Sequence, residues 1–309
     1  MRVIFMGTPE FAVPSLEALL QKHEVVLVVT QPDKPKGRGK KMMPTPIKAC
    51  AMAHGIPVLQ PEKVKEAQVI EELRKYQPDL IAVTAFGQIL TEPILELPKY
   101  GCINVHGSLL PKYRGAAPMQ WAIINGETVT GITTMYMAKG LDSGDMLLKK
   151  EVTILPQDTF AQVHDKMAEV GAQLLLDTLD ALEAGTLKRI PQDHDAATYA
   201  PMITRETGHI DWNHSGQDIQ NLIRGLNPAP AAYTVYEGET LKIFSAERLE
   251  MPTEGDDCGM IVSVTKKGFA VACKDCCLLI TELQAKGGKR MTADAYLRGH
   301  EIKTGVLLQ

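Results

Sequence analysis

The sequence predicts an α/β protein in which a doubly wound, mostly parallel sheet is followed by a smaller β-rich domain. Three observations carry this. From Arg2 to Ala184, short β-branched runs alternate with helix-spaced segments, the pattern of a sheet covered by helices on both faces. A polar, Pro-containing stretch from Lys188 to Thr207 then breaks the periodicity. Beyond it, strand-like runs recur about every ten residues, the spacing of a small barrel or sandwich.

Arg2 to Met6 reads as the first strand, ended by Gly7-Thr8-Pro9. Val13 to Leu20 has helical spacing, and Val25 to Thr30 is a β-branched run suited to a strand buried on both faces. Glu62 to Tyr76 reads as an amphipathic helix, Asp79 to Ala85 and Cys102 to His106 as strands, Met119 to Asn125 as a helix, and Gly131 to Met137 as a strand. One long helix, Asp158 to Ala184, closes the domain, with Phe160, Val163, Met167, Val170, Leu174 and Leu175 on one face. A short helix, Gln217 to Leu226, and strands at Ala232 to Tyr236, Leu241 to Ala246, Met260 to Thr265 and Phe269 to Cys273 follow. The expected division is a catalytic domain at 1–187, a linker at 188–207 and a second domain at 208–309.

Composition narrows the class. The 309 residues are 45% hydrophobic and 23% charged, ordinary values for two globular cores. The first apolar run ends at Met6, too short for a signal segment or a membrane span, so a cytoplasmic protein is expected. A net charge of -4 argues against a whole-surface nucleic-acid binder but leaves room for a local patch. Lys34, Lys36, Arg38, Lys40 and Lys41 supply one: five positive charges, and no negative one, in eight residues. Of the six cysteines, Cys273 and Cys276 form a CxxC. A zinc ribbon needs a second ligand pair, which is missing, and Gly268 to Leu283 alternates like two strands joined by a Lys-Asp turn. Buried strand cysteines, and no metal, are expected.

Gly7-Thr8-Pro9-Glu10-Phe11 lacks GxGxxG and any Walker lysine, so it reads as a plain strand-to-helix turn. The run from Gly101 to Pro111 is more informative. Asn104 and His106 are two apart on a strand, so both project from one face near the carboxyl end, where open α/β sheets bind ligands. Asp142 follows the strand Gly131 to Met137 and reaches the same rim. Each alone has an ordinary structural reading; together an amide, an imidazole and a carboxylate suit acyl transfer to an amine.

Asn104-Val105-His106-Gly107-Ser108-Leu109-Leu110-Pro111-Lys112-Tyr113-Arg114-Gly115-Ala116-Ala117-Pro118, continued by Asp142-Ser143-Gly144-Asp145, closely resembles the signature of the 10-formyltetrahydrofolate-dependent formyltransferases. The resemblance covers essentially the whole chain and implies a Rossmann-like catalytic domain followed by an OB-like β-barrel. It implies Asn104, His106 and Asp142 as catalytic residues, 10-formyltetrahydrofolate as co-substrate, and Ser108, Leu109, Leu110 and Pro111 as the folate-side loop. The start Met6 to Ala12, the basic insertion Gln31 to Lys41, Ile223 to Pro228 and the ending Gln284 to Gly299 are similar to the tRNA-directed branch. That branch formylates the α-amino group of methionine on initiator methionyl-tRNA for translation initiation. By the same resemblance, Lys34, Lys36, Arg38, Lys40 and Lys41 approach the tRNA acceptor stem, and neither a membrane nor an obligate protein partner is implied.

The alternative is a sugar-nucleotide or other small-amine formyltransferase, which would share the catalytic half but lack the basic loop. A binding module without catalysis would lose one of the three residues. Two departures stand out: Pro228 to Ala232 lacks the Trp and Gly common in the family, and Met202 replaces a frequent basic residue; the segment from Arg205 onward also has 12 Lys plus Arg against 14 Asp plus Glu. Arg205, Lys286, Lys289 and Arg290 are its evident phosphate partners.

Overall fold

The computed structural model describes residues 1–36, 41–249 and 257–309. They pack as two units, one built from Met1–Pro118, Val129–Thr153 and His164–Ala200, the other from Met119–Thr128, Ile154–Val163 and Pro201–Gln309.

The first unit contains strands β1 (Arg2–Gly7), β2 (Glu24–Val29), β3 (Lys34–Lys36), β4 (Lys41–Met43), β5 (Val58–Leu59), β6 (Leu80–Thr84), β7 (Cys102–His106), β8 (Arg114–Gly115), β9 (Val129–Tyr136), β10 (Met146–Thr153) and β11 (Tyr199–Ala200). Its helices are α1 (Val13–Lys22), α2 (Pro46–Ala53), α3 (Ala67–Lys75) and α4 (Glu92–Leu95); α5 (Pro118–Ile124) and α6 (Phe160–Glu183) each have residues in both units. Seven strands form one sheet in the order β10-β9-β7-β6-β1-β2-β5. The five from β5 to β7 are parallel, whereas β9 runs antiparallel to both of its neighbours, β7 and β10. The unbroken apolar runs of β1 and β6 place them at the centre, buried on both faces. The chain builds outward in one direction from β1 to β5 and in the other from β6 to β10, so β1 and β6 flank the switch point where such sheets take their ligands.

The sheet is therefore doubly wound and mostly parallel, as the sequence implies. The helix expected from Glu62 begins only at Ala67, because the turn before it is pinned by Val64 N–H donating to Gln88 Oε1 at 2.7 Å. Strand β10 was not expected: Lys149-Lys150-Glu151 breaks its alternation, as charges do on an edge strand. α6 supports β7 from behind, where a Cβ on Gly171 would lie 3.0 Å from Val105 Cγ1. Val105 thus faces the helix, and Asn104 and His106 face the other way.

The second unit contains α7 (Gly216–Gly225), strands β12 (Ala232–Tyr236), β13 (Glu239–Leu249), β14 (Ile261–Thr265), β15 (Gly268–Ala272), β16 (Cys277–Ala285) and β17 (Met291–Thr292), and α8 (Ala293–Leu297). The sheet is antiparallel in the order β12-β13-β16-β15-β14, with β17 on β16. Ser215 caps α7, its Oγ accepting from Asp218 N–H at 3.1 Å, and Ile219 and Ile223, one turn apart, press into the core with Trp212, Phe269 and Ile280. Ala231 adopts a left-handed φ of 72°.

Candidate active site

Asn104 and His106 occupy the carboxyl half of β7 on the face away from α6. Asn104 is half-buried, and its carboxamide makes no hydrogen bond to any of the described residues, so its two N–H donors are unspent. His106 is almost fully buried, with Nε2 at 3.0 Å from the Tyr113 carbonyl. A carbonyl only accepts, so Nε2 carries a proton. Nδ1 faces the Asp142 carboxylate, 3.7 Å from Oδ2.

Asp142 lies between β9 and β10 and is held from several sides. Its φ is 45°, and that of Tyr113 is 59°, so two non-glycine residues in the left-handed region flank the imidazole; such conformations persist where surrounding bonds over-determine them. The Asp142 carboxylate accepts the Gly115 N–H at 2.8 Å. Gly115 is required there, because with φ 118° a Cβ would meet the Ala200 carbonyl at 2.7 Å. Residues 188–200 belong to this unit: β11 pairs in parallel with β8, and Tyr113 N–H donates to Thr198 Oγ1 at 2.9 Å. Gln192 donates to the carbonyls of Asp142 and Gly144, both at 2.8 Å.

The Ser108–Pro111 loop follows β7. Ser108 is buried and its hydroxyl donates to Lys112 O at 2.6 Å, while Leu110 packs with Met135 and Met146. Leu109 and Pro111 are half-buried. Thr133 on β9 fixes the loop, accepting from Leu110 N–H at 3.1 Å and donating to Ser108 O at 2.7 Å. Lys149 on β10 donates to Leu110 O, and burial lowers its ammonium pKa. Thr133, Lys149, Gln192 and Thr198 were not singled out in the sequence: each acts through one side chain at an unpatterned position. Thr8 Oγ1 donates to Phe86 O at 2.9 Å, in keeping with a plain turn at Gly7-Thr8-Pro9.

The basic insertion forms a hairpin, with Lys34 opposite Met43 and Lys36 opposite Lys41. Lys34 is exposed; Arg38 and Lys40 lie outside the described residues, as do the side chains of Lys36 and Lys41. The hairpin is anchored at its base by Asp33, whose carboxylate receives Lys48 at 2.6 Å and Gln60 at 2.7 Å; the Lys48 bond is the largest cause holding its pKa below the ordinary value. In the second unit Lys286 pairs with Glu239 at 2.8 Å and Arg290 with Glu282 at 2.6 Å, so these cations are already engaged. Cys273 and Cys276 are buried with their sulfurs 3.6 Å apart, and burial pushes the Cys273 thiol up to about 12. The neighbouring Asp275 carboxylate is taken by Gly216 N–H at 2.7 Å and by Arg248 at 3.3 Å.

An unspent amide, an imidazole and a held carboxylate meet at the rim of a doubly wound sheet beside a fixed loop. The family model described as Formyl transferase matches residues 1–179, and the one described as Formyl transferase, C-terminal domain matches residues 202–301. The chain belongs to the formyl transferase family. It is 50% identical over 309 residues to the methionyl-tRNA formyltransferase of Acetivibrio thermocellus, covering 100% of this chain and 99% of that protein. It is 52% identical over 307 residues to the methionyl-tRNA formyltransferase of Ruminiclostridium cellulolyticum, covering 99% and 98%. Among solved structures, HypX from Aquifex aeolicus in complex with tetrahydrofolic acid shares the fold with TM-score 0.64 at 16% identity, over 99% of this chain and 50% of that one. The N-formyltransferase from Helicobacter canadensis in complex with folinic acid and dTDP-3-aminofucose does so with TM-score 0.65 at 20% identity, over 91% and 98%. No helix among the described residues is long and apolar enough to cross a membrane.

Proposed function

We propose that this chain transfers the formyl group of 10-formyltetrahydrofolate to the α-amino group of methionine on initiator methionyl-tRNA, working in the cytoplasm. Full-length identity near half to proteins of that name carries the reading, and the grouping of Asn104, His106 and Asp142 on one rim supports its chemistry. The α-amino group has a pKa near ~8, lowered further by esterification of the carboxyl, so a useful fraction is a neutral nucleophile at neutral pH.

Its lone pair attacks the formyl carbon, and the carbonyl electrons move onto oxygen. Asn104, with free donors, stabilises that oxyanion. The His106–Asp142 pair takes up the proton shed by the amine. The oxyanion then re-forms the carbonyl, the bond to the folate nitrogen breaks, and that nitrogen leaves protonated. Asp142 orients the imidazole. The Ser108–Pro111 loop bounds the folate side. The basic segment with Lys34, Lys36, Arg38, Lys40 and Lys41, together with residues 208–309, holds the tRNA.

The test offers 10-formyltetrahydrofolate with methionyl initiator tRNA, uncharged tRNA, free methionine or a nucleotide-linked amino sugar, and follows formyl transfer. Transfer to the charged tRNA is expected. No transfer to it, or faster transfer to the amino sugar, overturns the assignment.

A further inference from the structure

Asp142 performs its part only if its carboxylate stays at His106, yet its own backbone is in an unfavourable left-handed conformation and its loop joins two strands through nine residues of irregular chain, 137–145. The bonds that hold it lead to an arginine with no evident role in the chemistry. Arg114 is 3% exposed, and among the described residues no carboxylate pairs with it. An interior guanidinium without a counter-charge is costly, and the structure commits this one to a neutral amide. Its Nε and Nη2 both donate to Gln192 Oε1, at 3.1 and 2.6 Å, and Nη2 lies 3.2 Å from His194 Nδ1.

This arrangement leaves Gln192 one orientation. Arginine has only donors and main-chain carbonyls only accept, so Oε1 must face Arg114 and Nε2 must face the carbonyls of Asp142 and Gly144, each at 2.8 Å. All four hydrogen-bonding capacities of the amide are used, and the arginine charge on one end strengthens the donors at the other. Gly144 completes the seat: a Cβ there would lie 1.9 Å from Tyr136 O, so only glycine permits the loop to lie this close to β9. The Gly115 N–H, one residue from Arg114, holds the carboxylate itself at 2.8 Å. A single short strand, β8, thus fixes Asp142 at both its carboxylate and, through Gln192, its main chain.

We infer that Gln192, locked by the buried Arg114, is a positioning residue that keeps the Asp142 carboxylate at His106. The inference rests on the reading of Asp142 as part of the reacting set. Gln192→Glu keeps acceptors for Arg114 and even pairs better with it, but it puts a carboxylate oxygen against two carbonyls. Gln192→Leu removes both halves of the bridge.

The experiment measures kcat and KM for formyl transfer from 10-formyltetrahydrofolate to methionyl-tRNA in the full chain, with circular dichroism to verify folding. Both Gln192 variants are expected to lose kcat by about 10²-fold, the scale of an ångström-sized misplacement of a reacting group, with folate KM unchanged. In an Asp142→Ala background, Gln192→Leu is expected to cause no further loss, because its effect runs through Asp142. Wild-type kcat in Gln192→Glu would mean that only the support of Arg114 matters, and would overturn the inference; so would losses that multiply in the double variant. Full activity of Asp142→Ala in an otherwise competent enzyme would overturn it while leaving formyl transfer intact. A wild-type chain that transfers nothing to methionyl-tRNA would overturn the functional reading, and this inference with it.

Discussion

Replacing Thr133 by Val deletes one hydroxyl from a fully buried position and leaves the side-chain shape nearly unchanged. It also orphans two main-chain groups, Leu110 N–H and Ser108 C=O, which Thr133 Oγ1 now satisfies at 3.1 and 2.7 Å. Each orphaned buried group costs about 1–3 kcal/mol, and with the apolar gain of the extra methyl subtracted the net loss is about 1–5 kcal/mol. At a urea slope of about 2 kcal/mol per molar, the unfolding midpoint falls by roughly 0.6–2.5 M. Thr133→Ser keeps the hydroxyl and loses one buried methyl, a cost of about 1 kcal/mol and a shift of roughly 0.5 M. Urea titrations of the three proteins, followed by circular dichroism, give the ranking; KM for 10-formyltetrahydrofolate is expected to rise in the Val variant and stay put in the Ser variant, since the affected loop bounds the folate side. A Val variant within about 0.5 kcal/mol of wild type, or a Ser variant as unstable as Val, would refute the claim that this hydroxyl organises the loop.

Asn104→Ala is expected to slow turnover by about 10² to 10³ with little change in folate binding, the scale for one oxyanion donor; normal turnover with weak folate binding would move Asn104 into the folate pocket. Arg38→Ala should weaken formylation of methionyl-tRNA and reduce the salt slope by about one unit or less, and an unchanged slope would mean that the tRNA is held elsewhere. His23 has a buried side chain, and burial, then the Met1 ammonium, 3.5 Å away, lowers its pKa. The unfolded chain therefore binds that proton more readily, so stability is present above about pH 6.5 and declines as pH falls through the window below it. Thermal melts of His23→Gln should show a flatter decline, and an identical pH dependence would assign the effect to other groups. Ala231→Gly relieves the left-handed residue at φ 72°, an expected gain of about 0.5–1 kcal/mol and a few degrees in melting temperature. A lower melting temperature would show that Ala231 is not strained.

Much of this architecture was legible because the strands that matter are apolar on both faces. The runs Arg2 to Met6 and Asp79 to Ala85 need no partner information to be placed at a sheet centre. Asn104 and His106 were legible as a pair because strand geometry turns a spacing of two into a shared face. The rest of the site was not, for a different physical reason. Gln192 and Thr198 lie in polar chain with no periodicity, and they act through side-chain hydrogen bonds whose partners are set by tertiary approach. Thr133 looks like any β-branched strand residue until Leu110 and Ser108 are seen to depend on it. β10 was hidden for the converse reason, its charged centre masking an edge strand.

The reliance of the Asp142 loop on β8 and on residues near 192 also sets a schedule. Arg114 and Gln192 are 78 residues apart, and Tyr113 and Thr198 are 85 apart. At a synthesis rate of about 5–20 residues per second, the first of each pair leaves the ribosome roughly 4–17 s before its partner. During that interval the nascent chain already contains Asn104, His106 and Asp142, but Arg114 has no amide to receive its charge and the Asp142 carbonyl has no donor. Each molecule must therefore finish most of its own translation before the loop that carries its carboxylate can settle.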